Sequence, residues 1–163
     1  LLESPVRPSV DAGRVGWSFR PLDGDAMRQA AGRLIGEHDF TSFRASACQA
    51  LSPVKQLTRI DVTRRGAYWR FDFEASAFLH HMIRNIMGCL VAIGQGLQPP
   101  EWIDAVLAAR SRDASTRADG AAAKIRAHVH RIDATAGLTR QCMNRGEIGD
   151  VRTLATRIEW QVG

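Results

Sequence analysis

Two stretches of the chain carry apolar side chains at helical spacing beside a recognisable helix start. A first helix is predicted to begin near Asp23 or Asp25, because an aspartate can accept bonds from the free N–H groups of a helix start. Gly36 is a suitable end for it. Pro99 and Pro100 predict the start of a second such helix. The apolar face of the first helix consists of Met27, Ala30, Ala31, Leu34 and Ile35.

Apolar and polar residues alternate in two shorter stretches between these helices, Leu57–Val62 and Trp69–Ala75. Alternation of this kind is typical of strands with one buried face, and Gly66 between the stretches favours a hairpin. Arg70, Asp72 and Glu74 are predicted to point away from the core. The predicted inner face consists of Ile60, Val62, Trp69, Phe71 and Phe73. We therefore expect an α+β fold in which an antiparallel sheet packs against helices.

Three other segments show no sustained period. Leu1–Pro21 is predicted to be a strand end followed by a loop. His38–Ser46 mixes aromatic and polar residues, which is typical of a compact functional loop. Ser111–Gly163 contains no Phe, Tyr or Pro and relies on alanine for its apolar content. We expect poor order in that tail.

A further helix is predicted from Phe78 to Ile93, and it has an unusual polar side. On a helical wheel of about 100° per residue, one broad face is apolar. The opposite face carries His81, Arg84, Asn85 and Gly88, without a single acidic residue in the helix. Such a stripe is often only a solvent-facing surface. An arginine without an acid on its own helix, however, indicates a carboxylate or phosphate supplied by another segment or molecule.

Composition narrows the class of partner. Lys and Arg outnumber Asp and Glu by 22 to 17, and the sequence pI is about 9.8. This balance favours a polyanion as partner over a membrane. The three cysteines have no CxxC spacing, so neither a disulfide framework nor a zinc ribbon is expected, and a reducing cytosol fits best. Residue 1 is leucine, which is compatible with a chain that begins inside a longer protein.

Three motifs together resemble the C-terminal half of the tRNA pseudouridine synthase A (TruA) family. They are HDFTSFRA at 38–45, RIDVTRRGAYWRFDFEA at 59–75 and AFLHHMIRNIMG at 77–88. Their order and spacing also match, and the resemblance runs from 1 to 112. It implies half of a pseudouridine-synthase fold in residues 1–112, followed by a tail at 113–163 that matches nothing in the family.

The resemblance implies a reaction and a role for the polar stripe. Members of the family convert uridine to pseudouridine in the anticodon stem-loop of tRNA, without a cofactor, through a catalytic aspartate. The arginine of the FLHHMIRN motif pairs with that aspartate, and the matching residue here is Arg84. The family also implies tRNA as partner and a homodimer. The sequence has no apolar run near the roughly 18 residues that span a bilayer, so a soluble cytoplasmic protein with no membrane segment is expected.

Six residues are candidates for contact with RNA. Arg44 ends the HDFTSFR loop and is a candidate to contact an RNA phosphate or a second acid of the catalytic site, although a surface arginine that caps the turn would look the same. His81 lies beside Arg84, whereas His80 is better explained as a satisfied core histidine. The full set is Arg44, Arg59, Arg64, Arg65, His81 and Asn85.

The catalytic aspartate of the family is missing, because its Gly-Arg-Thr-Asp-Ala-Gly motif belongs to the N-terminal half. SVDAG at 9–13 shares three letters with that motif, but Asp11 lies in a linker loop and is rejected as the nucleophile. His128, His130 and Cys142 lack a second spaced pair and are not expected to bind metal. This chain alone is therefore predicted to be inactive. The alternative function is a catalytically inactive fragment that binds RNA or forms dimers.

Overall fold

The computed structural model describes residues 1–11 and 14–111 and the backbone of one short strand at 156–158. The rest of the predicted tail, with His128, His130 and Cys142, lies outside the described residues. The strands are β1 (Leu2–Glu3), β2 (Trp17–Ser18), β3 (Gly36–Asp39), β4 (Val54–Arg65), β5 (Tyr68–Ala75) and β6 (Thr156–Ile158). The helices are α1 (Gly24–Arg33), α2 (Met82–Gly94) and α3 (Trp102–Ala108), with one 3-10 turn at Thr41–Phe43.

The strands form one mixed sheet in the order β2-β1-β5-β4-β3, and β6 pairs with the end of β5. Its centre is the predicted hairpin, in which β4 and β5 run antiparallel from Arg65↔Tyr68 to Leu57↔Ala75. Gly66 has a φ of +60° in the turn between them, which glycine adopts without strain. The prediction of an α+β fold with an antiparallel hairpin is confirmed.

The predicted inner face of the hairpin forms the core. Trp69, Phe71 and Phe73 are all buried against the helices. Asp72 was predicted to point away from the core, yet it is buried. Its residue is only 8% exposed, and the Arg70 guanidinium donates two hydrogen bonds to its Oδ1. A buried carboxylate needs partners of this kind.

Helix α1 begins as its sequence predicts. The Asp23 side chain accepts hydrogen bonds from the backbone N–H groups of Asp25 and Ala26, at 2.9 and 3.0 Å. The helix ends at Arg33, however, and Gly36 already begins a strand. A φ of +117° at Gly36 lets the chain turn directly from helix to strand. Ile35 consequently leaves the apolar face and is 44% exposed.

Two short strands that precede the hairpin were not predicted. β2 has two residues, and β3 occupies the first part of the segment predicted to be a loop. β3 has only intermediate and exposed positions and owes its geometry to pairing with β4. Neither strand is long enough to show a period in the sequence.

Helix α2 starts at Met82, four residues later than predicted. The helix is also more deeply buried than the prediction of one solvent-facing polar side implied. Arg84 and Gly88, placed on the polar side by the helical wheel, are both buried, as is every residue from 88 to 94. α1 packs closely against it at Gly94, and Trp102 covers Ala92. Within residues 1–11 and 14–111, the helices are too short or too polar to cross a membrane.

Candidate active-site surface

The start of α2 has a strained backbone at the position of the paired histidines. His81 lies immediately before the helix with a φ of +64°, in the left-handed region that non-glycine residues seldom occupy. The His80 and His81 rings are in contact, with their centroids 3.9 Å apart. Both residues are half-buried. Strain of this kind persists only where surrounding contacts hold it, and it is concentrated at functional sites.

Arg84 lies one turn into the same helix and is only 5% exposed. A guanidinium keeps its positive charge in a protein, and burial removes the water that would otherwise solvate it. A buried cation is therefore suited to hold an anionic group where water is excluded. The structure places this cation between His81 and Gly88, on a helix that is otherwise almost wholly apolar.

The HDFTSFR loop is fastened to the start of α2 by two hydrogen bonds. The side-chain amide of Asn85 donates to the backbone carbonyl of Phe43 at 2.7 Å. The backbone N–H of Ala45 donates to the carbonyl of His80 at 2.8 Å. Arg44 lies between these two attachment points, so its backbone has a fixed position beside the helix start.

Further contacts stabilise the same loop from inside. The Phe40 and Phe43 side chains are fully buried. The Ser42 hydroxyl donates to the Val106 carbonyl and accepts from the backbone N–H of Ser111, which links the loop to the end of α3. The predicted compact loop is present from Phe40 onward, with a 3-10 turn at Thr41–Phe43.

Asp39 is the acidic residue of the HDFTSFR loop. Hydrogen bonds from Thr41 lower the pKa of the Asp39 carboxyl below its usual value, although desolvation opposes them. The positive charges of Arg110 and Arg44 lower that pKa further. The Arg110 Nε lies 3.6 Å from an Asp39 oxygen. Asp39 is thus an ionised partner for nearby arginines.

The three hairpin arginines among the candidates belong to a different part of the fold. Arg59 lies across the outer face, with its Nε 3.3 Å from Asp61 and 3.7 Å from Glu74. Arg64 bonds to Glu3 at 3.0 Å. Arg65 is exposed at the end of β4.

The structure therefore divides the six RNA-contact candidates into two groups. Arg44, His81 and Asn85 meet at the start of α2, together with Arg84. Arg59, Arg64 and Arg65 follow the hairpin, where the partly exposed ion pairs of Arg59 with Asp61 and Glu74 contribute little stability. Sequence patterns did not reveal that Asn85 has a backbone partner across the loop, since that bond joins residues 42 positions apart.

Asp11, the rejected nucleophile, has a structural partner. Its Oδ2 accepts a hydrogen bond from the Tyr68 hydroxyl at 2.8 Å. The carboxylate raises the pKa of Tyr68 above its usual value, through this hydrogen bond and through its charge. Among the residues that the structure describes, no group of three His, Cys, Asp or Glu side chains could hold a metal ion.

The fold and the site together define an α+β domain with a buried arginine beside a clamped, arginine-bearing loop. Residues 30–130 match the family model for tRNA pseudouridine synthases, and these residues include that loop, the hairpin and α2. The chain belongs to the tRNA pseudouridine synthase family.

Curated relatives agree with this assignment. The chain is similar to the tRNA pseudouridine synthase A of Albidiferax ferrireducens, with 72% identity over 113 residues, which is 69% of this chain and 44% of that protein. The tRNA pseudouridine synthase A of Polaromonas naphthalenivorans is 71% identical over 119 residues, covering 71% of this chain and 45% of the relative. That of Methylibium petroleiphilum is 67% identical over 112 residues. The chain thus spans a little under half the length of these relatives.

Proposed function

We propose that this chain forms the arginine-bearing wall of the active site of a tRNA pseudouridine synthase. The reaction is the isomerisation of uridine to pseudouridine in the anticodon stem-loop of tRNA. The observation that carries the proposal is the burial of Arg84 at 5% exposure, on a helix within the segment that matches the family. A dry cationic position is what a catalytic carboxylate needs if it is to stay ionised inside a closed cleft.

In the proposed mechanism, the carboxylate comes from the half of the enzyme that this chain does not match. The Arg84 guanidinium holds that carboxylate charged and correctly aimed, and forms no covalent bond itself. The bond between the uracil nitrogen and the ribose breaks, the base rotates, and a carbon of the same base bonds to the ribose. The base carbon loses its proton as it bonds to the ribose, and the freed ring nitrogen gains one, so the nucleotide keeps its composition and the balance of atoms requires no cofactor.

The RNA backbone is proposed to run past both groups of candidate residues. Arg44, His81 and Asn85 would lie near the reacting nucleotide, because they surround the helix start that carries Arg84. Arg59, Arg64 and Arg65 would bind phosphates further along the stem. Contacts of this second kind add affinity without sequence preference and weaken steeply with salt.

Three further expectations belong to this proposal. The chain on its own should make no pseudouridine, because the aspartate motif of the family is absent from its sequence. The complete enzyme should be a homodimer, by resemblance to the family. It should act in the cytoplasm, where tRNA is modified.

Reconstitution tests the proposal directly. The N-terminal part of the Albidiferax relative, which precedes the matched region, is fused to this chain, and pseudouridine is quantified in unmodified tRNA by nucleoside chromatography. The fusion should form pseudouridine, and neither part alone should do so. A fusion that binds tRNA without forming product would instead support the inactive RNA-binding fragment. A fusion that neither binds nor reacts would contradict both readings.

A further inference from the structure

Arg44 lies between two hydrogen bonds that fix its neighbours to α2. The carbonyl of Phe43 accepts from the Asn85 side chain, and the N–H of Ala45 donates to the His80 carbonyl. We propose that Asn85 is a positioning residue, which orders the 43–45 backbone so that Arg44 is presented to RNA. This inference rests on the proposed function, in which Arg44 contacts tRNA.

The geometry at residues 43–45 supports this role for Asn85. Phe43 and Ala45 are buried, whereas Arg44 between them is half-buried in an extended conformation with φ −86° and ψ 155°. The backbone on both sides of Arg44 is therefore anchored, and only its side chain is left to adjust. The Asn85 bond is supplied by a side chain, so a substitution can remove it selectively.

Ordering a loop before it binds improves affinity, because the entropy of fixing it is lost on folding and not on binding. Loss of one neutral hydrogen bond of this type should lower the equilibrium constant between the ordered and the disordered loop by about fivefold. The Kd of Arg44 for phosphate should therefore rise by at most the same fivefold when the loop is less ordered. An asparagine that contacted RNA directly would also weaken binding when replaced, so affinity alone does not separate the two roles.

A double-mutant cycle separates them. The full chain is prepared as wild type, Asn85→Leu, Arg44→Ala and the double variant, and the Kd for fluorescent unmodified tRNA is measured by anisotropy at low salt. Leucine has nearly the shape of asparagine and lacks the N–H donor. Gln95→Leu is the matched control, since Gln95 caps the C-terminal end of α2 and donates its side-chain amide to another group, the Ser18 hydroxyl.

We expect Asn85→Leu and Arg44→Ala each to raise the Kd by about threefold to fivefold. The double variant should bind no more weakly than Arg44→Ala alone, since Asn85 acts through Arg44. Gln95→Leu should leave the Kd unchanged. Losses that multiply in the double variant, or an Asn85→Leu variant with wild-type affinity, would overturn the positioning role.

The rate of hydrogen exchange at the Ala45 amide tests the ordering role of Asn85 without any RNA. Asn85→Leu should accelerate exchange there by about fivefold, while Gln95→Leu should not. Unchanged protection of Ala45 in Asn85→Leu would overturn the inference even if tRNA binds. If the wild-type chain fails to bind tRNA at all, the RNA-contact role of Arg44 fails, and the exchange result still decides whether Asn85 orders the loop.

Discussion

Glu3 and Trp69 are 66 positions apart in the chain and are joined by a hydrogen bond of 2.8 Å from the indole nitrogen to the carboxylate. The same carboxylate accepts from the Arg64 guanidinium and from the backbone N–H of Leu22, at 3.0 and 3.1 Å. The Arg64 guanidinium also lies over the Trp69 ring, 5.1 Å from its centroid. Glu3 therefore binds the first strand, the hairpin and the entry to α1 together.

Glu3→Gln should lower the free energy of unfolding by about 1–2 kcal/mol, because glutamine presents an NH₂ donor to a site filled with donors. Urea unfolding followed by tryptophan fluorescence measures the change. Glu37→Gln is the control, since Glu37 is exposed on the edge strand β3. Equal small effects of the two substitutions would show that the Glu3 cluster adds no stability.

Gly94 is predicted to resist substitution because of its contact with α1. A Cβ at Gly94 would lie 2.8 Å from the sulfur of Met27, whose side chain is fully buried. Gly94→Ala should therefore cost about 1–2 kcal/mol of stability, as for other overpacked core positions. Gly32→Ala should instead stabilise by about 0.5–1 kcal/mol, since Gly32 lies within α1 with no neighbouring atom within 4 Å of the added Cβ. Thermal unfolding of both variants tests the pair, and a stabilised Gly94→Ala would contradict the packing argument.

The ionisation of Tyr68 can be followed alone, since Tyr68 is the single tyrosine of the sequence, and it is a probe of Asp11, to which its hydroxyl donates. The Asp11 carboxylate raises the pKa of Tyr68. Asp11→Asn should therefore lower the pH at which tyrosinate absorbance appears. In the reconstituted enzyme, the same substitution should leave pseudouridine formation intact. Loss of turnover with Asp11→Asn would show that Asp11 had been wrongly rejected as the nucleophile.

When the chain is prepared with Leu1 as its first residue, we predict that its free energy of unfolding depends on pH, because the amino group of Leu1 is buried. Burial lowers the pKa of this group from 8.0 to about 6, and it donates to the Trp69 carbonyl at 2.8 Å. The unfolded chain therefore binds the proton more readily between pH 6 and pH 8, so stability falls as the pH decreases through that window. The full loss is about 2–3 kcal/mol.

Acetylation of Leu1 provides the control for this prediction. The acetylated chain cannot gain the proton, yet its amide N–H can still donate to the Trp69 carbonyl. The difference in unfolding free energy between the two forms should grow as the pH falls from 8 to 6. A constant difference would contradict the assigned pKa.

The sequence predicted the features that depend on local patterns. The Asp23 cap, the hairpin about Gly66 and the buried faces of Trp69, Phe71 and Phe73 follow from neighbouring residues, and the structure has all of them.

Features that depend on distant contacts were missed. β3 forms because β4 is beside it, and Asp72 is buried because the Arg70 guanidinium lies against its carboxylate. The late start of α2 follows from the left-handed backbone at His81, which no spacing rule reveals. The family motif gave Arg84 a role at the site, which stays a prediction, whereas the helical wheel alone left open a solvent-facing role.

The most direct test of the central claim compares Arg84 variants in the reconstituted enzyme. Single-turnover rates of pseudouridine formation and tRNA Kd values are measured for wild type, Arg84→Lys and Arg84→Ala. If the guanidinium holds the catalytic carboxylate through two parallel bonds, both variants should lose about a hundredfold or more in rate, since lysine keeps the charge without the planar fork. Their Kd values should change much less. A lysine variant with near-normal rate, or variants that lose binding while keeping the rate, would contradict the role assigned to Arg84.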